Sequence, residues 1–137
     1  IGAIVALIHD IVITFGILSL CGIEVSLMLI GAFLTIAGYS INDTVVVFDR
    51  IREYFGLYGT KKDRKEVFNL ALNSTLSRTI NTSLSTFVVL LTIFLFGGDN
   101  IKGFVFALMV GVVVGTYSSI FIATPTVVDL SRDTAKA

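Results

Sequence analysis

The sequence has 137 residues, of which 55% are hydrophobic and 15% are charged, and its formal net charge at neutral pH is zero. Soluble globular chains average about 45–50% apolar and about 25% charged residues, so this composition is shifted toward apolar residues. The single cysteine, Cys21, excludes an internal disulfide, and the balanced charge argues against nucleic acid as a partner. We therefore expect an integral membrane protein. Because the sequence begins at Ile1, already within an apolar run, we expect it to be a fragment of a longer protein.

Four runs of residues are apolar enough to cross a bilayer as helices, each of which needs about 20 residues. They cover about residues 1–21, 25–48, 76–96 and 101–128, separated in the middle by a polar loop at 49–66. The second run is expected to continue as a helix to about residue 55. Closed barrels also satisfy backbone groups in lipid, but these runs lack the alternating pattern of barrel strands. The sequence predicts an all-α polytopic membrane protein with four transmembrane helices in one domain.

The positive charges predict how these helices are oriented. The loop at 49–66 contains six Lys and Arg residues, and Arg132 and Lys136 follow the fourth run. Short basic loops stay in the cytoplasm, so we expect both chain ends to be cytoplasmic and successive helices to be antiparallel.

The fourth run carries small residues at every fourth position. The stripe consists of Gly103, Ala107, Gly111, Gly115, Ser119 and Ala123. Small residues let helix backbones approach closely in lipid, so this stripe predicts a tightly packed partner helix. Two interpretations remain open, which are a static packing seam and a contact that slides or rocks.

Three charged residues, Asp10, Asp43 and Arg78, lie within apolar runs, where each costs about 2.5–3.5 kcal/mol on insertion scales. At 1.5 Å per residue, Asp43 lies about 10 Å and Arg78 about 12 Å from the centres of their runs, toward the same side. We therefore predict that Asp43 and Arg78 approach across the interface of the second and third helices, directly or through water. The role of Asp10 stays open between a proton relay and a polar contact between helices.

Amide and hydroxyl side chains accompany these charges at a similar depth. The candidate members of this polar layer are Asn42, Thr79, Thr82, Thr116 and Ser119. Hydroxyls and trapped water can pass protons, and a carboxylate can load and release one, so the layer predicts a proton relay centred on Asp43 and Arg78. The alternative is a structural ion pair whose neighbouring hydroxyls bond to their own helices. We find no metal-ligand spacing, nucleotide-binding loop or nucleophile motif, and therefore predict no metal, no cofactor and no enzyme activity.

The segment Gly38 to Glu53, GYSINDTVVVFDRIRE, resembles the signature of the SecF family of bacterial protein-export membrane proteins. Similar segments follow the family's order elsewhere: AIVALIHDIVIT from Ala3, LSRTINTSL from Leu76, and the region from Phe94 to Ala123. The family belongs to the resistance-nodulation-division superfamily. Its members have six membrane helices and a periplasmic domain between the first two. The four runs resemble helices three to six, so we expect the first two helices and the periplasmic domain to lie outside this sequence.

The resemblance implies a function as well as a fold. It implies a subunit in the bacterial inner (cytoplasmic) membrane, surrounded by lipid, that uses the proton-motive force to aid preprotein export through SecYEG together with SecD. By match to the family's motifs, Asp43 of IND and Arg78 of SRT would be the functional charges, and Asp10 of the HD motif follows with less support. Two alternatives remain, which are a static membrane scaffold for the translocon and a small proton-coupled exporter.

Overall fold

The computed structural model describes residues 1–58 and 61–136, and all regular secondary structure in these ranges is helical. The elements are α1 (Gly2–Leu20), α2 (Leu27–Tyr58), α3 (Arg64–Phe96), α4 (Asp99–Ser118), a π-helical turn (Ser119–Ala123) and α5 (Thr124–Lys136). Four helical stretches are long and apolar enough to cross a membrane, and the fourth, Asp99–Leu130, joins α4, the π-helical turn and part of α5. The prediction of an all-α chain with four such helices is confirmed.

The helices reach further into the polar segment 49–66 than the sequence predicts. Helix α2 ends at Tyr58 and α3 begins at Arg64, while positions 59 and 60 of the predicted loop lie outside the described residues. Asp63 precedes α3 in an extended conformation, and its side chain accepts a hydrogen bond from the Arg64 backbone N–H at 2.8 Å. Glu66 in the first turn places negative charge at the positive end of the helix dipole. Local capping therefore starts α3 within the polar segment.

Helix α1 packs through a single narrow face. Its buried residues recur at every fourth position: Gly2, Ala6, Asp10, Thr14 and Leu18. Residues four apart lie on one side of a helix, so this stripe faces the neighbouring helices while the remaining apolar side chains point outward. The stripe contains both small and polar residues, which brings the Asp10 carboxylate into the interior of the bundle.

Helix α4 lies between the other three membrane helices and contacts each of them. Its closest approach is at Gly111, where an added Cβ would lie only 2.5 Å from Cδ1 of Ile36 on α2. Elsewhere on the stripe, Ala107 is fully buried and a Cβ on Gly103 would meet Ile23 at 3.7 Å. The small residues therefore lie against α2 and the chain that leads into it. The side chain of Ala123, the last stripe position, lies outside what the structure describes.

Two apolar clusters close the ends of the bundle. The first, near the α1–α2 connection, contains Leu18, Leu29, Ala32 and Ala107. The second, near the α2–α3 connection, contains Val47, Ile51, Phe68 and Ala71. In the second cluster the rings of Phe55 and Phe68 meet edge to face, with centroids 5.0 Å apart. Between the two clusters, α2 buries Ser40, Asp43 and Thr44, so the polar layer lies in the middle of the molecule.

The π-helical turn Ser119–Ala123 interrupts the fourth membrane stretch beside this polar layer. Pro125 has no backbone N–H to donate to the Phe121 carbonyl, and its ring crowds the preceding turn. The widened turn accommodates that crowding, and the Thr124 hydroxyl donates to the Ser119 carbonyl oxygen at 3.3 Å. Such turns occur frequently at functional sites. The apolar pattern did not predict this turn, although the single proline of the sequence lies inside the fourth run.

Candidate functional site

Asp43 lies at the interface of α2 with the π-helical turn, where 9% of the residue surface is exposed. Its Oδ2 atom is buried and has no hydrogen-bond partner within the described parts of the chain. The Ser119 hydroxyl lies beside the carboxylate, and the guanidinium of Arg78 is near enough to attract it electrostatically. The site therefore contains a carboxylate oxygen that is free to receive a proton.

Arg78 projects from α3 with an exposed side chain. None of its nitrogens lies within 4.0 Å of an Asp43 oxygen, so the two groups form no direct ion pair in this structure. Their attraction acts across a longer gap. Asp43 and Arg78 therefore do not touch, and their predicted approach across the α2–α3 interface through a bridging water stays a prediction.

Asp10 is the most deeply buried charged residue among those that the structure describes, with none of its surface exposed. The Ser40 hydroxyl of α2 donates a hydrogen bond to its Oδ2. Its Oδ1 lies 3.3 Å from Nδ1 of His9. On α4, a Cβ at Gly115 would lie 3.8 Å from Oδ2, so α4 packs against the carboxylate at this position. The structure supplies the interhelical partner, Ser40, that the sequence left open.

A chain of hydroxyls connects α2, α3 and α4. The Thr116 hydroxyl donates to the Val112 carbonyl at 2.8 Å, so the 2.5 Å bond between Ser83 and Thr116 has Ser83 as its donor. Each hydroxyl carries one proton, and Tyr39 is therefore the donor in its 3.0 Å bond to Ser83. The three hydroxyls therefore donate in one direction, from Tyr39 on α2 through Ser83 on α3 to Thr116 on α4.

A second hydroxyl pair lies next to Asp43. The Ser119 hydroxyl donates to the Gly115 carbonyl at 2.9 Å, which makes Thr44 the donor in the 3.2 Å bond between Thr44 and Ser119. Ser119 has one proton to give, so it bonds either this carbonyl or the Asp43 carboxylate at a given moment. Its position lets it reorient in response to the charge on Asp43.

The other predicted members of the layer differ in their surroundings. Thr79 is buried on α3, whereas Asn42 and Thr82 are exposed. The Thr82 hydroxyl donates to the Arg78 carbonyl of its own helix at 2.8 Å. This is the bonding expected if the hydroxyls near Asp43 and Arg78 have a structural role and not a role in proton transfer. Of the five candidates, Thr116 and Ser119 alone form hydrogen bonds to other helices within the described residues.

Sequence reasoning missed several residues of the polar layer. Tyr39, Ser40 and Thr44 all bond to other helices, and all lie within one turn of Asp43 in the string YSINDT. Their spacing was visible in the sequence, but their partners were not. The described residues include no group of three or more His, Cys, Asp or Glu placed to hold a metal ion.

These observations define a multi-pass helical membrane protein that buries charged and hydroxyl side chains between its spans. The family model described as protein export membrane protein SecD/SecF, C-terminal, matches residues 1–133. The chain belongs to this family.

Curated relatives support the same assignment. The chain is 56% identical over 135 residues to the protein translocase subunit SecF of Rhodothermus marinus, with 94% of this chain and 44% of the relative covered. It is 50% identical over 132 residues to the subunit of the same name in Petrotoga mobilis, with 96% and 43% covered. The chain thus spans less than half the length of these relatives.

Two solved structures share the fold. A crystal structure of SecDF from Thermus thermophilus, described as a translocon-associated membrane protein, matches with a TM-score of 0.90 and 44% identity, covering 96% of this chain and 18% of that one. SecDF in a super-membrane-facing form matches with a TM-score of 0.88 and 41% identity, covering 99% and 19%.

Proposed function

We propose that this chain is the membrane part of a SecF-type subunit that uses the proton-motive force to aid preprotein export through SecYEG. The names of its relatives, protein translocase subunit SecF, support the export role. Its partner is SecD, because the matching solved structures are of SecDF. The subunit resides in the bacterial inner membrane, with both ends of this chain on the cytoplasmic side.

The charge distribution supports that orientation. Arg50 and Arg52 lie near the end of α2, and Arg64 and Lys65 begin α3, so basic side chains gather at one end of the bundle. Basic segments of this kind stay in the cytoplasm. At the opposite end of the bundle the basic side chain is Lys102, near the start of α4, so Lys and Arg are concentrated at the α2–α3 end.

The observation that carries the proposed mechanism is the buried, unpartnered Oδ2 of Asp43. A buried charged oxygen without a hydrogen bond is unfavourable, and accepting a proton there removes the charge and provides a donor. Protonation also ends the attraction between Asp43 and Arg78. Proton binding at this one atom therefore changes the force between α2 and α3.

Such a change can convert the membrane potential into motion. Moving one elementary charge through 100 mV is worth about 2.3 kcal/mol. That energy is comparable to the cost of rearranging a few hydrogen bonds, each of which contributes about 0.5–1.5 kcal/mol net. We infer that protonation and release at Asp43 shift α2 relative to α3, and that the intact subunit passes this movement to the parts that handle preprotein.

The test uses the full-length subunit with SecD and SecYEG in inverted membrane vesicles. Asp43→Asn preserves the size of the side chain and removes its titration, so we expect export driven by the proton gradient to be lost. Asp99→Asn is the matched control, since that carboxylate is exposed and its surface ion pair contributes little. We expect Asp43→Glu, which restores a carboxylate, to recover part of the export.

The static scaffold predicts a different outcome. A scaffold would bind SecD and SecYEG equally well with Asn at position 43 and would show no dependence on the proton gradient at this residue. Full gradient-driven export by Asp43→Asn vesicles, together with normal association with SecD, would overturn the proton mechanism and favour the scaffold.

A further inference from the structure

We propose that Asp10 is a second proton-carrying carboxylate on a buried line of hydroxyls, which runs from Thr14 to Asp10 and on through Ser40, Thr44 and Ser119 to Asp43. The proposal rests on the proposed function, because it describes how protons reach and leave Asp43. It is independent of Arg78, which lies on another helix, α3.

Helix α1 provides the outer part of this line. Thr14 follows Asp10 by one helical turn on the same buried stripe, toward the α1–α2 connection. The Thr14 hydroxyl is fully buried and has no hydrogen-bond partner in the part of the chain that the structure describes. Threonine hydroxyls inside helices usually bond back to their own helix, so an orphaned one next to a buried carboxylate points to a function.

Helix α2 and the π-helical turn continue the line toward Asp43. Ser40 bonds to Asp10, and Thr44 lies one turn further along the same face of α2, where it bonds to Ser119. Ser119 is fully buried and lies beside the Asp43 carboxylate. Every hydroxyl between the two carboxylates is therefore buried and belongs to the packed interior.

Two intervals on this line need a water molecule, because neither Thr14 and Asp10 nor Ser40 and Thr44 are hydrogen-bonded to each other. Ser40 and Thr44 are four residues apart, which is about 6 Å along a helix axis. That distance is too long for a direct hydrogen bond and suits one water between two hydroxyls. Gly115 of α4 lies at the Ser40 end of this interval, where an added Cβ would be 3.8 Å from both Asp10 Oδ2 and Ser40 Cβ.

The transfer moves one proton and breaks only O–H bonds. A proton arrives from the Thr14 side at Asp10, which becomes neutral. Asp10 then gives a proton to the Ser40 oxygen while Ser40 passes its own proton to the bridging water. The water passes one to Thr44, Thr44 to Ser119, and Ser119 to Asp43. Each hydroxyl ends with one proton, Asp10 is again a carboxylate, and Asp43 is neutral.

Other titratable groups near Asp10 are few and placed differently. His9 lies beside it on α1, and its ring is 6.4 Å from that of Tyr117 on α4. From α2, the ring of Tyr39 lies near Gly115, but its hydroxyl bonds to Ser83. The π-helical turn, Ser119–Ala123, contains no titratable side chain. His9 is therefore the neighbour whose charge could compete, and the experiment includes it.

The test uses the full-length subunit with SecD and SecYEG in vesicles, with export driven by the proton gradient. Asp10→Asn retains an oxygen that can accept the Ser40 hydrogen bond, so we expect normal assembly. We expect its gradient-driven export to fall about a hundredfold, at the lower end of what a positioned proton-transfer group contributes. Thr14→Val should lower export while Thr14→Ser retains it, and Thr92→Val, which alters an exposed hydroxyl on α3, should have no effect.

Infrared difference spectra between low and high pH separate proton transfer from a structural role. We expect the signal of protonated carboxylic acid to contain one component that Asp10→Asn removes, one that Asp43→Asn removes, and none that His9→Gln removes. Loss of export in Asp10→Asn without loss of a carboxylic component would overturn the proposal, because Asp10 would then act only in packing.

The outcomes also separate this proposal from the proposed function. Full export by Asp10→Asn combined with lost export by Asp43→Asn would overturn the role of Asp10 and leave the role of Asp43 standing. Full export by both variants would overturn both. If Asp10→Asn failed to assemble, the Thr14→Val and Thr14→Ser pair would still decide, since equal export by the two would overturn the line of hydroxyls.

Discussion

The contact between α2 and α4 at Gly111 predicts a large difference between two similar substitutions. In Gly111→Ala, the new Cβ would lie 2.5 Å from Cδ1 and 2.9 Å from Cγ2 of Ile36. Carbon atoms normally approach to about 3.5–4.0 Å, so the side chain must move by about 1 Å. Ile36 is buried and β-branched, and its χ1 is therefore restricted in a helix. Overpacking of this kind costs about 1–3 kcal/mol.

Gly115→Ala is the matched comparison one turn along the same helix. Its new Cβ would meet its nearest neighbours at 3.8 Å, which is ordinary contact. Both substitutions replace glycine by alanine inside a helix and share a gain in helix propensity of about 1 kcal/mol. That gain cancels in the comparison, so we expect Gly111→Ala to be less stable than Gly115→Ala by about 1–3 kcal/mol.

The assay is unfolding of the intact subunit in mixed detergent micelles by titration with sodium dodecyl sulfate. Larger substitutions extend the series: Gly111→Leu and Gly115→Leu should both destabilise packing, whereas Val113→Leu, at a position that is 56% exposed, should not. Ile36→Ala should remove the clash, so that Gly111→Ala costs little in that background and the coupling energy is about 0.5–3 kcal/mol. Equal stability of Gly111→Ala and Gly115→Ala would refute the close approach of α4 to α2 at Gly111.

Three further predictions concern the charged and apolar neighbours of the polar layer. Arg78→Lys, which keeps the charge and loses the planar fork, should reduce gradient-driven export partly, whereas Arg78→Met should abolish it as Asp43→Asn does. Ser83→Ala removes the middle hydroxyl of the three that join α2, α3 and α4, and it should lower the free energy of unfolding by about 1–3 kcal/mol. Ser85→Ala, which removes an exposed hydroxyl, is the neutral control. Phe68→Ala empties a buried aromatic site near the α2–α3 connection, and it should lower the free energy of unfolding by about 3–5 kcal/mol. Unchanged unfolding curves for Ser83→Ala and Phe68→Ala would contradict the packing described here.

Much of the fold could be predicted from local sequence. The apolar runs are long enough that only helices satisfy their backbone groups in lipid, so the four membrane helices followed from composition and length. Boundaries were less accurate at 49–66, because charged residues with good helix propensity continued the helices beyond the apolar runs. The π-helical turn depended on how the chain accommodates Pro125 within a helix, which no window of hydropathy records.

The sequence by itself determined which residues are costly in a membrane, since Asp10, Asp43 and Arg78 stand out in apolar surroundings wherever the helices are placed. Only the tertiary structure decided their partners. Lipid is as apolar as the interior of the bundle, so hydrophobicity does not reveal which face of a membrane helix is buried. The rotation of each helix about its axis was therefore set by packing, above all by the glycine contacts of α4. That packing brought Ser40 to Asp10 and left Arg78 at a distance from Asp43.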